Sequence, residues 1–142
     1  MKKIAVVYWS GTGNTEAMAE SVAEGVKLDG CEVTTYSATE FSPDFMDDFD
    51  GVAFGCPSMG VEVLEEDEFE PMFLSCKDKL VGKKIALFGS YGWGDGEWMR
   101  DWEKDCIDSG AILVCNSVIC NESPDDEAVQ SCQALGKALA GI

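Results

Sequence analysis

Short apolar runs alternate along this chain with segments whose apolar residues recur every three or four positions. That alternation limits the fold more than any other feature. Lys3–Trp9 (KIAVVYW) is continuous, apolar and rich in β-branched residues, so it reads as a buried strand. From Asn14 the period changes: Met18, Val22 and Val26, flanked by Ala19 and Ala23, form one helical face that Gly30 can end. Glu32–Ser37 reads as a second strand, Pro43–Asp50 as an acidic turn and Gly51–Cys56 as a third strand. Phe69, Met72, Phe73, Cys76 and Leu80 have helical spacing, and Lys84–Ser90 is a fourth strand. Trp98, Trp102 and Cys106 rise by fours towards Gly110, Ala111–Ile119 is a fifth strand, and Ala128, Cys132, Leu135 and Leu139 form a last helical face behind Pro124.

Strands and helices in alternation predict a doubly wound α/β domain: a five-stranded parallel sheet with helices on both faces and right-handed crossovers. The 142 residues fit one domain, residues 1–142, with no repeat or linker. Ligands of such sheets bind beyond the carboxyl ends of the strands. The segments of interest are therefore Ser10–Thr15, Pro57–Glu62, Ser90–Gly96 and the stretch near Asn121.

Charge narrows the function. Ten Lys and Arg face 27 Asp and Glu, a net charge of −17, which disfavours nucleic acid and anionic membrane as partners. No apolar run approaches the ~20 residues of a membrane-spanning helix, and the first run is too short and glycine-broken for a signal peptide. The seven cysteines are odd in number and lack Cys-x-x-Cys spacing, so they read as small core hydrophobes of a cytosolic protein, without disulfides or a metal site. With no His, a Ser–His or Cys–His hydrolase cannot be built. A phospho-receiver domain needs an acidic pair after the first strand and an Asp ending the third. Trp9-Ser10 and Cys56-Pro57 stand there instead.

Three loops carry the chemistry. Ser10-Gly11-Thr12-Gly13-Asn14-Thr15 offers hydroxyls, an amide and backbone N–H groups at a helix start, an anion site suited to a terminal phosphate. It lacks the Lys of a Walker A loop and the third Gly of a dinucleotide fingerprint, and a plain N-capped turn reads the same residues. Ser90-Tyr91-Gly92-Trp93-Gly94 sets two aromatics among glycines, where backbone and indole can approach a flat ligand; a turn with core-packed aromatics is the alternative. Pro57-Ser58-Met59-Gly60-Val61-Glu62 offers a polarizable thioether, a flexible turn and a carboxylate for ring N–H groups, or simply a loop into a helix. Together they describe a guest with a phosphate at one end and an aromatic plane at the other, such as a phosphorylated flavin.

The chain resembles the flavodoxins, in particular the short-chain kind of anaerobic bacteria such as clostridia. The resemblance spans nearly the whole sequence and rests on YWSGTGNTE (Tyr8–Glu16), GCPSMGVE (Gly55–Glu62), LEEDEFEP (Leu64–Pro71), GKKIALFGSYGWGDGEWMRDW (Gly82–Trp102) and NESPDD after Ile119. It implies strand order 2-1-3-4-5, one FMN, and service as a low-potential one-electron carrier between larger redox proteins. By matched position, Ser10, Gly11, Thr12, Gly13, Asn14 and Thr15 bind the phosphate, and Met59 and Trp93 flank the isoalloxazine. Gly60 presents its carbonyl to a protonated flavin N5, and Glu62 accepts from N3–H. Ser58 and Val61 complete the same loop, while Ser90, Tyr91, Gly92, Gly94 and Asn121 complete the pyrimidine and ribityl contacts. Val61 stands where relatives often carry a small or polar residue, a conflict that disappears if Gly60 takes the positive φ. A flavin-dependent reductase on this fold is the alternative, but it usually adds loops for substrate and nicotinamide.

Glu62, Glu65, Glu66, Asp67, Glu68 and Glu70 crowd nine residues beside the flavin loop. Under this reading they disfavour an anionic reduced ring and steer the protein, as a monomer, to basic patches on reductases or oxidoreductases. A solvated helix face is the plainer reading of the same run.

Overall fold

The computed structural model describes residues 2–142. In chain order the elements are β1 (Lys3–Tyr8), α1 (Asn14–Leu28), β2 (Glu32–Ser37), β3 (Gly51–Gly55), α2 (Phe69–Cys76), β4 (Lys84–Tyr91), α3 (Glu97–Asp108), β5 (Ile112–Leu113), β6 (Val118–Asn121) and α4 (Asp126–Ala140). The strands pair in parallel in the order β2-β1-β3-β4-β5, with β6 also on β4. This is the doubly wound sheet and the 2-1-3-4-5 order expected above.

Side-chain alternation along the inner strands divides the core in two. Ile4, Val6, Ala53, Ala86 and Phe88 face Met18, Val22, Val26, Cys132, Leu135 and Leu139, the apolar stripes of α1 and α4. Ala5, Val7, Val52, Phe54, Ile85 and Leu87 face the opposite layer, where Phe69 and Phe73 of α2 meet Trp98 and Trp102 of α3. There Trp102 takes Phe69 and Phe73 edge-on, with centroids 5.4 and 5.7 Å away. Burial pushes the Cys106 and Cys132 thiols up to about 12, so both stay protonated and pack as small hydrophobes. No helix among the described residues is long and apolar enough to cross a membrane.

The crossover from β2 to β3 holds 3₁₀ turns (Ala38–Glu40 and Pro43–Asp48), in keeping with the acidic turn read at Pro43–Asp50, so the alternation of strand and helix lapses there. Aromatic packing secures this short connection: Tyr36 contacts Phe41, Phe45 and Phe49, with centroids 5.2–6.0 Å apart. Lys83 Nζ also donates to the Met46 and Phe49 carbonyls. The segment read as one fifth strand, Ala111–Ile119, is split into β5 and β6. Ile85 pairs with Leu113 and Phe88 with Val118, so the outer strand carries extra residues that cannot all join the ladder and bulge out.

α1 and α4 lie backbone to backbone. A Cβ on Gly25 would come within 2.0 Å of the Gln133 carbonyl oxygen, and one on Gly136 within 2.1 Å of the Val22 carbonyl oxygen. An alanine here gains about 1 kcal/mol of helix propensity, but backbone cannot rotate away as a side chain can. Gly136→Ala is expected to lower unfolding free energy by roughly 1–3 kcal/mol net, read as an earlier urea midpoint at unchanged slope.

Candidate functional site

β1, β3, β4 and β6 end on the same side of the sheet, with β4 and β6 running three residues beyond β1 and β3. Tyr8 is level with Gly55, Gly55 with Phe88, and Tyr91 with Asn121, so the segments after these strands meet at one edge of the sheet. Between them lies a cleft of about 510 Å³, lined by Trp9, Gly11, Thr12, Asn14, Pro57, Ser58, Met59, Ser90, Tyr91, Gly92, Glu122 and Ser123. That volume lies in the range of cofactor sites.

The first wall is the segment between β1 and α1. Gly13 takes φ +97° at the helix start, and its N–H is accepted by Ser10 Oγ at 3.0 Å. No side chain caps the first turn of α1, so backbone donors stay open towards the loop. Thr15 Oγ1 and Ser90 Oγ are 2.9 Å apart in a buried hydrogen bond, which joins this wall to the end of β4.

The second wall follows β3. Ser58 N–H donates to the Ser90 carbonyl at 2.9 Å, and Met59 and Val63 exchange backbone hydrogen bonds at 2.8 and 2.9 Å. The bend between them has φ +52° at Gly60 and +55° at Glu62. Gly60 therefore takes the positive φ and spares Val61, whose side chain is 81% exposed. Glu62 Oε1 accepts the Glu97 N–H at 3.1 Å at the start of α3, with its carboxyl group in the space a Gly94 Cβ would fill.

The third wall follows β4. Tyr91 packs on Trp98 with centroids 5.5 Å apart, and its carbonyl accepts from Glu122 N at 2.8 Å and Asn121 Nδ2 at 3.3 Å. Trp93 is 61% exposed outside the cleft wall, and Trp98 and Trp102 are core residues. The tryptophan that lines the cleft is Trp9.

The cleft wall thus holds Gly11, Thr12, Asn14, Ser58, Met59, Ser90, Tyr91 and Gly92 of the expected set. Ser10, Gly13 and Thr15 support it from the adjoining loop and Asn121 braces Tyr91, while Gly60, Val61, Glu62, Trp93 and Gly94 lie in the loops after β3 and β4 but outside the cleft wall. Trp9, Pro57, Glu122 and Ser123 were not in that set. Trp9 ends an apolar run and reads as strand. Glu122 follows a strand whose end was placed too early, although its place beside Asn121 in a polar stretch was a usable signal.

The acidic run also needs correction, because half of it is built into the fold. Glu65 is 6% exposed, and its carboxylate accepts from the N–H groups of Asp67, Glu68 and Phe69 at 2.7–2.8 Å, capping the entry to α2. Burial works against the charged form, but the three N–H groups outweigh it and hold the Glu65 carboxyl below its ordinary value. Glu68 accepts from the Trp9 indole and Glu62 from the start of α3. Glu66 and Asp67 remain as open surface charges, with Glu70 half-buried beside them.

The donor set fits a phosphorylated flavin. Hydroxyls of Thr12, Ser58 and Ser90, the Asn14 amide and an uncapped helix start suit a phosphate without a cation, and no Lys or Arg lines the cleft. Met59 and Tyr91 supply apolar and aromatic surface for a flat ring, while Trp9 lies at the Gly11 end of the cleft. Parallel strands ending on such a crevice define an α/β protein of the FMN-binding class.

Residues 6–136 match the profile described as Flavodoxin. The sequence is 48% identical to the flavodoxin of Clostridium beijerinckii, covering 96% of this chain and 99% of that one. It is 44% identical to the flavodoxin of Megasphaera elsdenii, covering 96% and 98%. The solution structure of two-electron reduced Megasphaera elsdenii flavodoxin matches this fold with a TM-score of 0.91 over 98% of this chain and 99% of that one. A flavodoxin from the domain Archaea, 26% identical, matches at 0.85 over 98% and 96%. The chain belongs to the flavodoxin family: it is an FMN-binding, low-potential electron carrier that works with other redox proteins and is not an enzyme.

Because the Glu65 carboxyl is held low in the folded state, its contribution is present above the ordinary value of ~4.3. It is lost as pH falls through the lower folded value. Glu65→Gln is expected to cost roughly 1.5–3 kcal/mol at neutral pH, with the gap to wild type closing in acid. Denaturation midpoints of both proteins across pH check this.

Proposed function

We propose that FMN lies in the cleft with its phosphate on Ser10, Gly11, Thr12, Gly13, Asn14 and Thr15. The ring lies between the Ser58–Glu62 and Ser90–Gly94 loops, and Asn121 stands at the ribityl side. The observation that carries this is the buried Thr15–Ser90 hydrogen bond, which ties the anion loop to the flat-walled part of the same cleft. When bound, FMN supplies the one-electron redox chemistry. The chain's own residues hold and shield it. Backbone N–H groups at the start of α1 and the neighbouring hydroxyls neutralise the phosphate. The Gly60 carbonyl, in a bend closed by the Met59–Val63 pair, is the acceptor for ring N5–H. Glu62 keeps Oε2 for ring N3–H while Oε1 serves the start of α3. Met59 and Trp93 flank the ring at the mouth, where an electron can pass to a docked protein.

The whole chain acts as one domain, a cytoplasmic monomer that docks by its cleft end on basic patches of reductases or oxidoreductases. Three features support this reading: the net charge of −17, the continuous sheet, and the open carboxylates of Glu66 and Asp67, with half-buried Glu70 beside them. No feature of the cleft favours nucleic acid.

The flavin identity is tested by extraction and chromatography. FMN is expected, since an adenylate on the phosphate has to displace the contacts at the start of α1. Recovery of mainly FAD overturns the placement. For docking, Glu66→Gln, Asp67→Asn and Glu70→Gln together are expected to slow electron transfer to a basic redox partner at low salt. The difference should shrink as the Debye length falls to ~8 Å at physiological ionic strength, with FMN affinity unchanged. Second-order rates and FMN dissociation at several salt concentrations separate the two effects, and equal rates at low salt refute steering by this patch.

A further inference from the structure

Trp9 separates two hollows. It forms part of the 510 Å³ cleft and part of a smaller one of about 340 Å³, lined also by Ser10, Gly13, Ser37, Thr39 and Glu68. Its backbone N–H is fixed to the Gly55 carbonyl at 3.0 Å, and its indole Nε1–H donates to Glu68 Oε1 at 2.8 Å. The other side of the indole lies against the phosphate loop: a Cβ on Gly11 would come within 3.0 Å of Cη2 and 3.3 Å of Cζ3. Glu68 is itself held, because its N–H donates to the capped Glu65 carboxylate at 2.7 Å. A continuous series of contacts thus runs from the start of α2 through Glu68 and the Trp9 ring to Gly11.

We infer that Glu68 and Trp9 are a pair of positioning residues for the phosphate loop, with the carboxylate fixing the indole and the indole bracing Gly11 from behind. This rests on the placement of the FMN phosphate at Ser10–Thr15 proposed above. Glu68 then acts through hydrogen bonding, and its charge is incidental to cofactor binding. The strut acts at the phosphate end of the ligand and not at the ring.

Those two statements separate by experiment. Apoprotein of wild type, Glu68→Ala, Glu68→Gln, Trp9→Phe and Glu68→Ala/Trp9→Phe is titrated with FMN and with riboflavin, which lacks the phosphate. Loss of one hydrogen bond at a partly exposed site corresponds to about three- to tenfold in affinity. That loss is expected for FMN in Glu68→Ala and in Trp9→Phe, with no further loss in the double variant. Riboflavin affinity should stay within about twofold of wild type, because that ligand makes no phosphate contact. Glu68→Gln keeps an acceptor oxygen, so it should restore FMN affinity despite losing the charge. If Glu68→Gln is as weak as Glu68→Ala, charge is the cause and the strut is refuted. Equal losses for FMN and riboflavin also refute it, by placing the effect at the ring. If Glu68→Ala fails to fold, Trp9→Phe against wild type gives the same FMN-to-riboflavin comparison. Wild type that binds no FMN overturns the underlying placement, and with it the pair's role. Wild type that binds FMN no better than Glu68→Ala overturns the strut alone.

Discussion

Parallel strands in one sheet must all end on the same side, and the site depends on that constraint. β1, β3 and β4 are paired in register over their inner residues, so the chain leaves Tyr8, Gly55 and Tyr91 towards one edge. Each strand then has to turn before its helix can return over the sheet. The turns cannot continue the ladder, and their backbone donors are left facing a shared crevice. The buried Thr15–Ser90 bond and the Ser58–Ser90 backbone bond cross between these turns and make the crevice one structure.

Tight layers hold the strands in that arrangement. Small residues on β3 and β4, Ala53 and Ala86, accept α1 and α4 closely on one side, and those two helices touch where Gly25 and Gly136 omit a side chain. The opposite layer is filled with aromatic rings of α2 and α3 packed edge to face. Such packing leaves little freedom for the strands to slide, and a one-residue slip would turn every inward side chain outward. A rigid sheet gives its loops fixed starting points, as a carrier needs if its cofactor is to keep one geometry through repeated electron transfer.

The acidic segment after β3 serves two purposes. Glu65 turns its carboxylate inward to satisfy the open N–H groups at the start of α2, and Glu62 accepts from the first N–H of α3. The Glu66 and Asp67 carboxylates are exposed, so they add to the field of the protein without a side-chain hydrogen bond among the described residues. Adjacent carboxylates of identical chemistry thus differ in role because only some lie within reach of unsatisfied backbone donors.

Much of this was written locally in the chain. The apolar runs of β1, β3 and β4, the helical stripe Met18–Val22–Val26, and the glycines and hydroxyls of Ser10–Thr15 are patterns over neighbouring residues, and neighbouring residues set strand and helix period. The positive φ of Gly60 was legible for the same reason: a valine beside it left glycine as the residue able to bend. What depended on contacts between distant residues was not legible. The turn at Pro43–Asp50 could be read, but not the aromatic packing and the Lys83 contacts that hold it before β3, and the split of β5 from β6 appears only when both pair with β4. The sequence marks Glu65 and Glu68 only as acidic and Glu62 as a carboxylate for ring N–H groups, because the partners they have in the fold lie at the start of α2, on Trp9 and on α3. Local sequence determined the elements and the Gly-rich Ser10–Thr15 turn, while long-range packing and the pairing of buried polar groups decided which tryptophan lines the cleft and which carboxylates remain free.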